Sequence, residues 1–185
     1  YMLTMAALIP ASGWLADRFG SQRVFLSAIV LFSAGSAACA LSNDLSQLIA
    51  ARVLQGLGAA VLLPVGRLVI LQHFPREELL SAMSFVAIPG LIGPLIGPTL
   101  GGWLVETASW HWIFLINLPV GLVGALATMR YMPNLKRTDA GRFDLAGYAM
   151  LVLAMIAISL ALDGLGGLGW ASTLVVLLMV AGLAA

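Results

Sequence analysis

The sequence predicts an all-α membrane protein: a partial helical bundle of about seven transmembrane helices, the first and last cut short. Three observations carry this. Hydrophobic residues make up 61% of the chain and charged residues 9%, with a mean hydropathy of +1.03; a globular domain has about 45–50% and about 25%. The apolar runs are continuous and mostly near the roughly 20 residues a spanning helix needs, where a membrane β-barrel would alternate. And the basic loop residues fall only in every second loop. The net charge of +1 decides nothing by itself, and the single cysteine, Cys39, excludes a disulfide within the chain.

The spans follow in order. Tyr1–Ala16 shows neither a charged n-region nor a cleavage site, so it is not expected to be a signal peptide. Because the chain opens on Tyr1 and is apolar from the start, this run is expected to be a truncated span of a longer protein. Val24–Asn43 follows, then Leu45–Leu71, interrupted by Arg52 and Arg67. Leu79–Val105 carries no charge but contains GPLIGPTLGG, in which Gly93, Gly97 and Gly101 form one bare stripe suited to close helix packing. Pro94 and Pro98 delete backbone donors, so this helix is expected to bend. Thr107–Met129 contains Pro119, which also predicts a bend, and Leu145–Leu162 comes next. Gly164–Ala185 is expected to be the last span, truncated by the chain end.

Nine residues are Lys or Arg, and seven of them lie in loops. These are Arg18, Arg23, Arg76, Arg130, Lys136, Arg137 and Arg142, all in alternate loops. The positive-inside rule makes loops 17–23, 72–78 and 130–144 cytoplasmic. Trp103, Trp110, Trp112 and Trp170 then fall near the outer ends, as an aromatic belt does. The polar, basic stretch 134–145 is the expected boundary between helical units.

The remaining two cations interrupt a span. Arg52, Gln55, Gly56, Ala59 and Leu63 share one helix face. Charges inside membrane helices are costly and usually face a cavity; the alternative for Arg52, a few residues inside the outer end, is snorkelling to the surface. No carboxylate lies deep in any visible span. Arg67 shares a depth with Asp17, so either an ion pair or a solvated arginine fits. Gly20 suits a tight inner turn. Asn117 either lines a cavity or bonds another helix. His73 and His111 are far apart, and no metal site is expected.

Several of these stretches carry a family resemblance. GWLADRFGSQRVF resembles the loop motif of the major facilitator superfamily, and LIAARVLQGLGAA its fourth-helix arginine motif. GPLIGPTLGG is similar to the fifth-helix antiporter motif. SWHWIFLINLPVG, GRFDLAG and LDGLGGLGW resemble the fourteen-span drug:proton antiporters, the EmrB/QacA type. The resemblance implies that the chain spans helices two to eight: residues 1–133 in the N-terminal six-helix bundle, 134–145 a cytoplasmic loop, and 146–185 an extra helix pair. It implies a gating role for Gly13, Asp17, Arg18 and Gly20, with Arg23 and Arg67 beside them. It implies proton coupling at Arg52, with Gln55 and Gly56 in the same motif, and a shaping role in the fifth helix for Gly93, Gly97, Pro98, Gly101 and Gly102. One departure stands out: where the family has two bases after the loop glycine, this chain has Ser21 and Gln22.

The function implied is proton-coupled efflux of amphipathic, often cationic compounds by alternating access, in a bacterial-type inner membrane. The partners expected are a small-molecule substrate, protons and the lipid bilayer, with the proton gradient as energy source and no cofactor; an adaptor protein is left open. Export of a metabolite, lipid or siderophore is the alternative, and an inactive truncated membrane protein is a third reading. No catalytic motif, cofactor loop or nucleic-acid-binding pattern is present, so no enzyme is expected.

Overall fold

The computed structural model describes residues 1–136, 141 and 143–167. It is all-helical among them: α1 Met2–Phe19, α2 Ser21–Ala40, α3 Leu45–His73, α4 Arg76–Thr107, α5 Trp112–Leu115, α6 Asn117–Tyr131 and α7 Leu145–Gly167. Most of the last expected span, with Trp170, lies outside the described residues, as do Arg137 and Arg142.

Local chemistry sets the boundaries. A single residue, Gly20, joins α1 to α2 at φ 96°, a backbone region that favours glycine. Its N–H still closes α1 on the Ala16 carbonyl. The start of α3 is capped twice: the Asp44 carboxylate accepts from the Gln47 N–H at 2.8 Å, and Gln47 Oε1 accepts from the Asn43 N–H at 3.0 Å. Such a cap is worth about 1 kcal/mol. Pro75 precedes α4, whose first turn holds Glu77 and Glu78, favourable at the positive end of a helix dipole.

The expected fifth span is real but begins at Trp112, and it is broken in two. Together α5 and α6 cover Trp112–Tyr131, with the interruption at Ile116. Pro119 explains the place: its ring meets the carbonyl four residues back, that of Leu115, and it has no N–H to bond there. GPLIGPTLGG, in contrast, continues as helix within α4.

Among the described residues, four helices are long and apolar enough to cross a membrane: α2, α3, α4 and the joined α5–α6. The centre of the bundle is the α2–α3 pair, with α1 against α3 and α6 against α2. Small residues permit this. A Cβ on Gly35 would stand 2.5 Å from the Gln55 nitrogen, and one on Gly58 would stand 2.5 Å from that of Phe32, so the two backbones touch at two levels. Ala16, Val24, Ala28, Val61 and Val65 fill the core nearer Gly20, and Cys39, Ala40, Ala51 and Phe114 fill it at the other end.

By contrast α4 stands apart. Among the described residues it touches only α3 and α5, none of its described side chains is buried, and a Cβ at Gly93, Gly97, Gly101 or Gly102 would meet none of their atoms within 4 Å. The bare stripe is present; no helix is seated on it among the described residues. Pro98 sits in the same open stretch.

Candidate functional site

Arg52 is half-buried in the first third of α3. Its Nη1 donates to Gln55 Oε1 at 2.9 Å, one turn on along the same face. Its guanidinium carbon lies 4.9 Å from the Phe114 ring centre and 5.2 Å from that of Tyr1. Each such cation–π contact is worth about 0.5–2 kcal/mol, more when dry. An amide oxygen and two ring faces are all uncharged, so they hold the cation without neutralising it.

Gln55 is 2% exposed. A buried amide needs partners at both ends, and its Nε2 donates to Ser36 Oγ on α2 at 2.5 Å. The same hydroxyl accepts from Asn117 Nδ2 on α6 at 3.2 Å. Asn117 therefore makes the interhelical bond, the second of the readings open in the sequence. Gly56 has a steric role: a Cβ there would stand 2.9 Å from the Tyr1 carbonyl oxygen, so its absence lets the start of α1 bring the Tyr1 ring to Arg52. Of the expected face, Gln55, Gly56 and Ala59 are buried, while Leu63 is exposed.

A second constellation lies at the opposite end of the bundle, around the α1–α2 turn. A Cβ on Gly20 would collide with the Asn134 carboxamide. Ser21 N–H donates to the Leu135 carbonyl at 2.9 Å, the Leu135 N–H donates back to Ser21 Oγ at 2.9 Å, and Ser21 Oγ donates to the Pro133 carbonyl at 3.0 Å. Gln22 Nε2 reaches the carbonyls of Thr128 and Met129 at 3.1 and 3.3 Å. The two positions that depart from the family pattern thus hold α6 and the segment after it to the turn with neutral hydrogen bonds: Gln22 bonds the last turns of α6 and Ser21 bonds residues 133 and 135.

The other expected gating residues spread around this turn. Asp17 is half-buried and Arg18 exposed; a Cβ on Gly13 would meet open space. Arg23 is exposed and borders an apolar cleft with Leu8, Leu15 and Phe19. Arg67 is exposed in a different cleft, beside Met5 and Ile9 of α1. The structure therefore groups Gly20 with the clamp and places Arg67, on α3, in a separate cleft beside Met5 and Ile9 of α1. Trp14 adds a link to α7: its Nε1 donates to the Gly141 carbonyl at 3.0 Å, its ring packs 4.8 Å from Phe143, and Tyr148 of α7 donates to the Ala7 carbonyl at 2.9 Å.

Sequence reasoning missed Ser36, Phe114 and Trp14 as site residues. Ser36 sits in SAGSAACA, which reads as small packing residues, and Phe114 is one apolar residue among many. Among the described residues, no three His, Cys, Asp or Glu side chains come together as a metal site.

Comparison with known proteins follows the same lines. Residues 1–147 match the model of the Major Facilitator Superfamily. The chain belongs to that superfamily. It is 57% identical over all 185 residues to a protein of Serratia proteamaculans named "Putative multidrug resistance protein MdtD", covering 39% of that relative's length. Relatives of the same name from Yersinia enterocolitica and Yersinia pestis are 59% identical over 169 residues, which is 91% of this chain and 36% of each relative. The chain thus spans less than two fifths of the curated relatives it matches. Superfamily membership and the long apolar helices make it an integral, multi-pass membrane protein.

Proposed function

We propose that the chain forms much of one half of a proton-coupled efflux transporter for amphipathic, often cationic compounds, working in a bacterial inner membrane with loops 17–23, 72–78 and 130–144 in the cytoplasm. The observation that carries this is Arg52: a half-buried cation inside a membrane helix, held among the described residues by an amide oxygen and two ring faces, all uncharged. Burying a charge this way is costly and is retained for a task. A cation so placed lowers the pKa of any carboxylate brought beside it. Proton and cationic substrate then compete for that carboxylate, which is the minimum needed for exchange. The name of the MdtD relatives supports the multidrug reading, and the alternation of basic loops supports the orientation.

In this reading the α1–α2 turn, with Gly13, Asp17, Arg18, Gly20 and Arg23 on it or near it, acts at the cytoplasmic gate, and Arg67 contributes from the neighbouring cleft between α1 and α3. The open stripe Gly93–Gly97–Gly101 with Pro98 and Gly102 receives a further helix of the full-length protein. The energy source is the proton gradient. The test is uptake of a lipophilic cation such as tetraphenylphosphonium into everted membrane vesicles containing the full-length protein. The expected result is accumulation on energisation that a protonophore abolishes. Accumulation indifferent to the protonophore would overturn proton coupling, and none for any lipophilic cation would overturn the substrate class.

A further inference from the structure

We infer that Ser36 and Asn117 are positioning residues for Arg52, and that the α5–α6 segment is the second half of the arginine site. The inference builds on the transport reading only in giving Arg52 a purpose; the geometry stands without it.

Arginine offers only donors, so it needs the oxygen end of the Gln55 amide, never the nitrogen end. Nothing about a glutamine fixes which end faces which way except its partners. Here the nitrogen end is taken by Ser36 Oγ, which directs the oxygen to Arg52. The hydroxyl has two acceptor sites, and Asn117 Nδ2 fills the other. Gly35 makes the arrangement reachable, since any Cβ there would strike the Gln55 backbone.

The chain of contacts closes on itself. Asn117 lies three residues beyond Phe114, whose ring covers the Arg52 guanidinium at 4.9 Å. Hydrogen bonds run Arg52–Gln55–Ser36–Asn117 across α3, α2 and α6, and Phe114 returns to Arg52 through its ring face. Two stretches about sixty residues apart in sequence therefore hold one guanidinium from both sides. Because each bond orients the next, loss of one member is felt at the arginine.

The test reads Arg52 directly. The full-length protein in detergent micelles is treated with phenylglyoxal, which modifies accessible guanidinium groups, and the rate at the Arg52 peptide is followed by mass spectrometry. Ser36→Ala and Asn117→Ala are each expected to raise that rate about fivefold, the population change from losing one hydrogen bond of ordinary net strength. Ser36→Thr, which keeps the hydroxyl, restores the slow rate. The double variant labels no faster than Ser36→Ala alone, since both act through one oxygen. Ser27→Ala, whose hydroxyl bonds the Val24 carbonyl one turn back, leaves the rate unchanged. If Ser36→Ala does not accumulate, Asn117→Ala carries the test. Unchanged labelling in Asn117→Ala, or additive effects in the double variant, would overturn the inference. Absence of proton-coupled transport in the parent protein would instead remove the transport reading and leave this one to the labelling.

Discussion

Replacing Gly35 with alanine reverses the usual effect of that substitution. On an ordinary helix surface Gly→Ala stabilises by about 0.5–1 kcal/mol, because the unfolded backbone loses freedom. At Gly35 the new Cβ would stand 2.5, 2.6 and 2.8 Å from the nitrogen, Cα and Cβ of Gln55. An ordinary contact begins at 3.4 Å, so α2 and α3 must separate by nearly an ångström. The obstacle is backbone, which cannot rotate away, and packing strain of this kind costs about 1–3 kcal/mol. The net expectation is a loss of about 1–2 kcal/mol. The displacement also pulls Gln55 from Ser36 and so loosens Arg52. Equilibrium unfolding of the 185-residue chain in detergent micelles measures the first effect and phenylglyoxal labelling of Arg52 the second. The matched control is Gly66→Ala, whose Cβ would meet, among the described residues, only Phe25 at 3.6 Å and should be neutral or stabilising. If Gly35→Ala behaves as Gly66→Ala does, the close approach of α2 and α3 is wrong.

Three further expectations follow from the same geometry. Gly20→Ala forces a side chain into φ 96° and against Asn134; it should destabilise by about 1–3 kcal/mol, read as a lower unfolding midpoint, and a wild-type midpoint would remove the turn from the account. Ser21→Ala removes one donor and one acceptor of the clamp, and should speed amide hydrogen exchange at Leu135, whose N–H bonds to Ser21 Oγ, without changing exchange in α3. Gly97→Leu should leave the unfolding of the 185-residue chain unchanged, since no atom of the described residues lies within 4 Å of a Cβ there, but abolish transport by the full-length protein; full transport would sink the packing role of the stripe.

The sequence made the helices legible because their causes are local. Apolar runs of bilayer length, Gly20 as a turn and Pro119 as a disruptor depend on neighbours in the chain. The ends were less legible. Charges divide the apolar runs but do not end helices: α1 runs through Asp17 and Arg18 to Phe19, and α2 begins at Ser21 rather than Val24. The fifth span begins at Trp112 rather than Thr107, after a turn at Ser109–His111 closed by backbone bonds.

For the site, the Arg52–Gln55 bond was readable, since residues three apart share a helix face. Its partners were not. Ser36 and Asn117 are joined only by the tertiary approach of α2, α3 and α6, and one serine in a run of small residues gives no periodic signal. The same holds at the turn, where Ser21 and Gln22 looked like missing charges. Only the packing of residues 133–135 beside Ser21, and of the end of α6 beside Gln22, shows them as hydrogen-bonding groups.

The most direct test of the central claim, that Arg52 is the coupling centre, is proton movement driven by substrate. Everted vesicles holding the full-length protein are energised, and release of protons on adding a lipophilic cation is followed with a pH-sensitive dye. The account predicts clear release for the parent protein and none for Arg52→Ala at equal expression. Release by Arg52→Ala equal to that of the parent would contradict it.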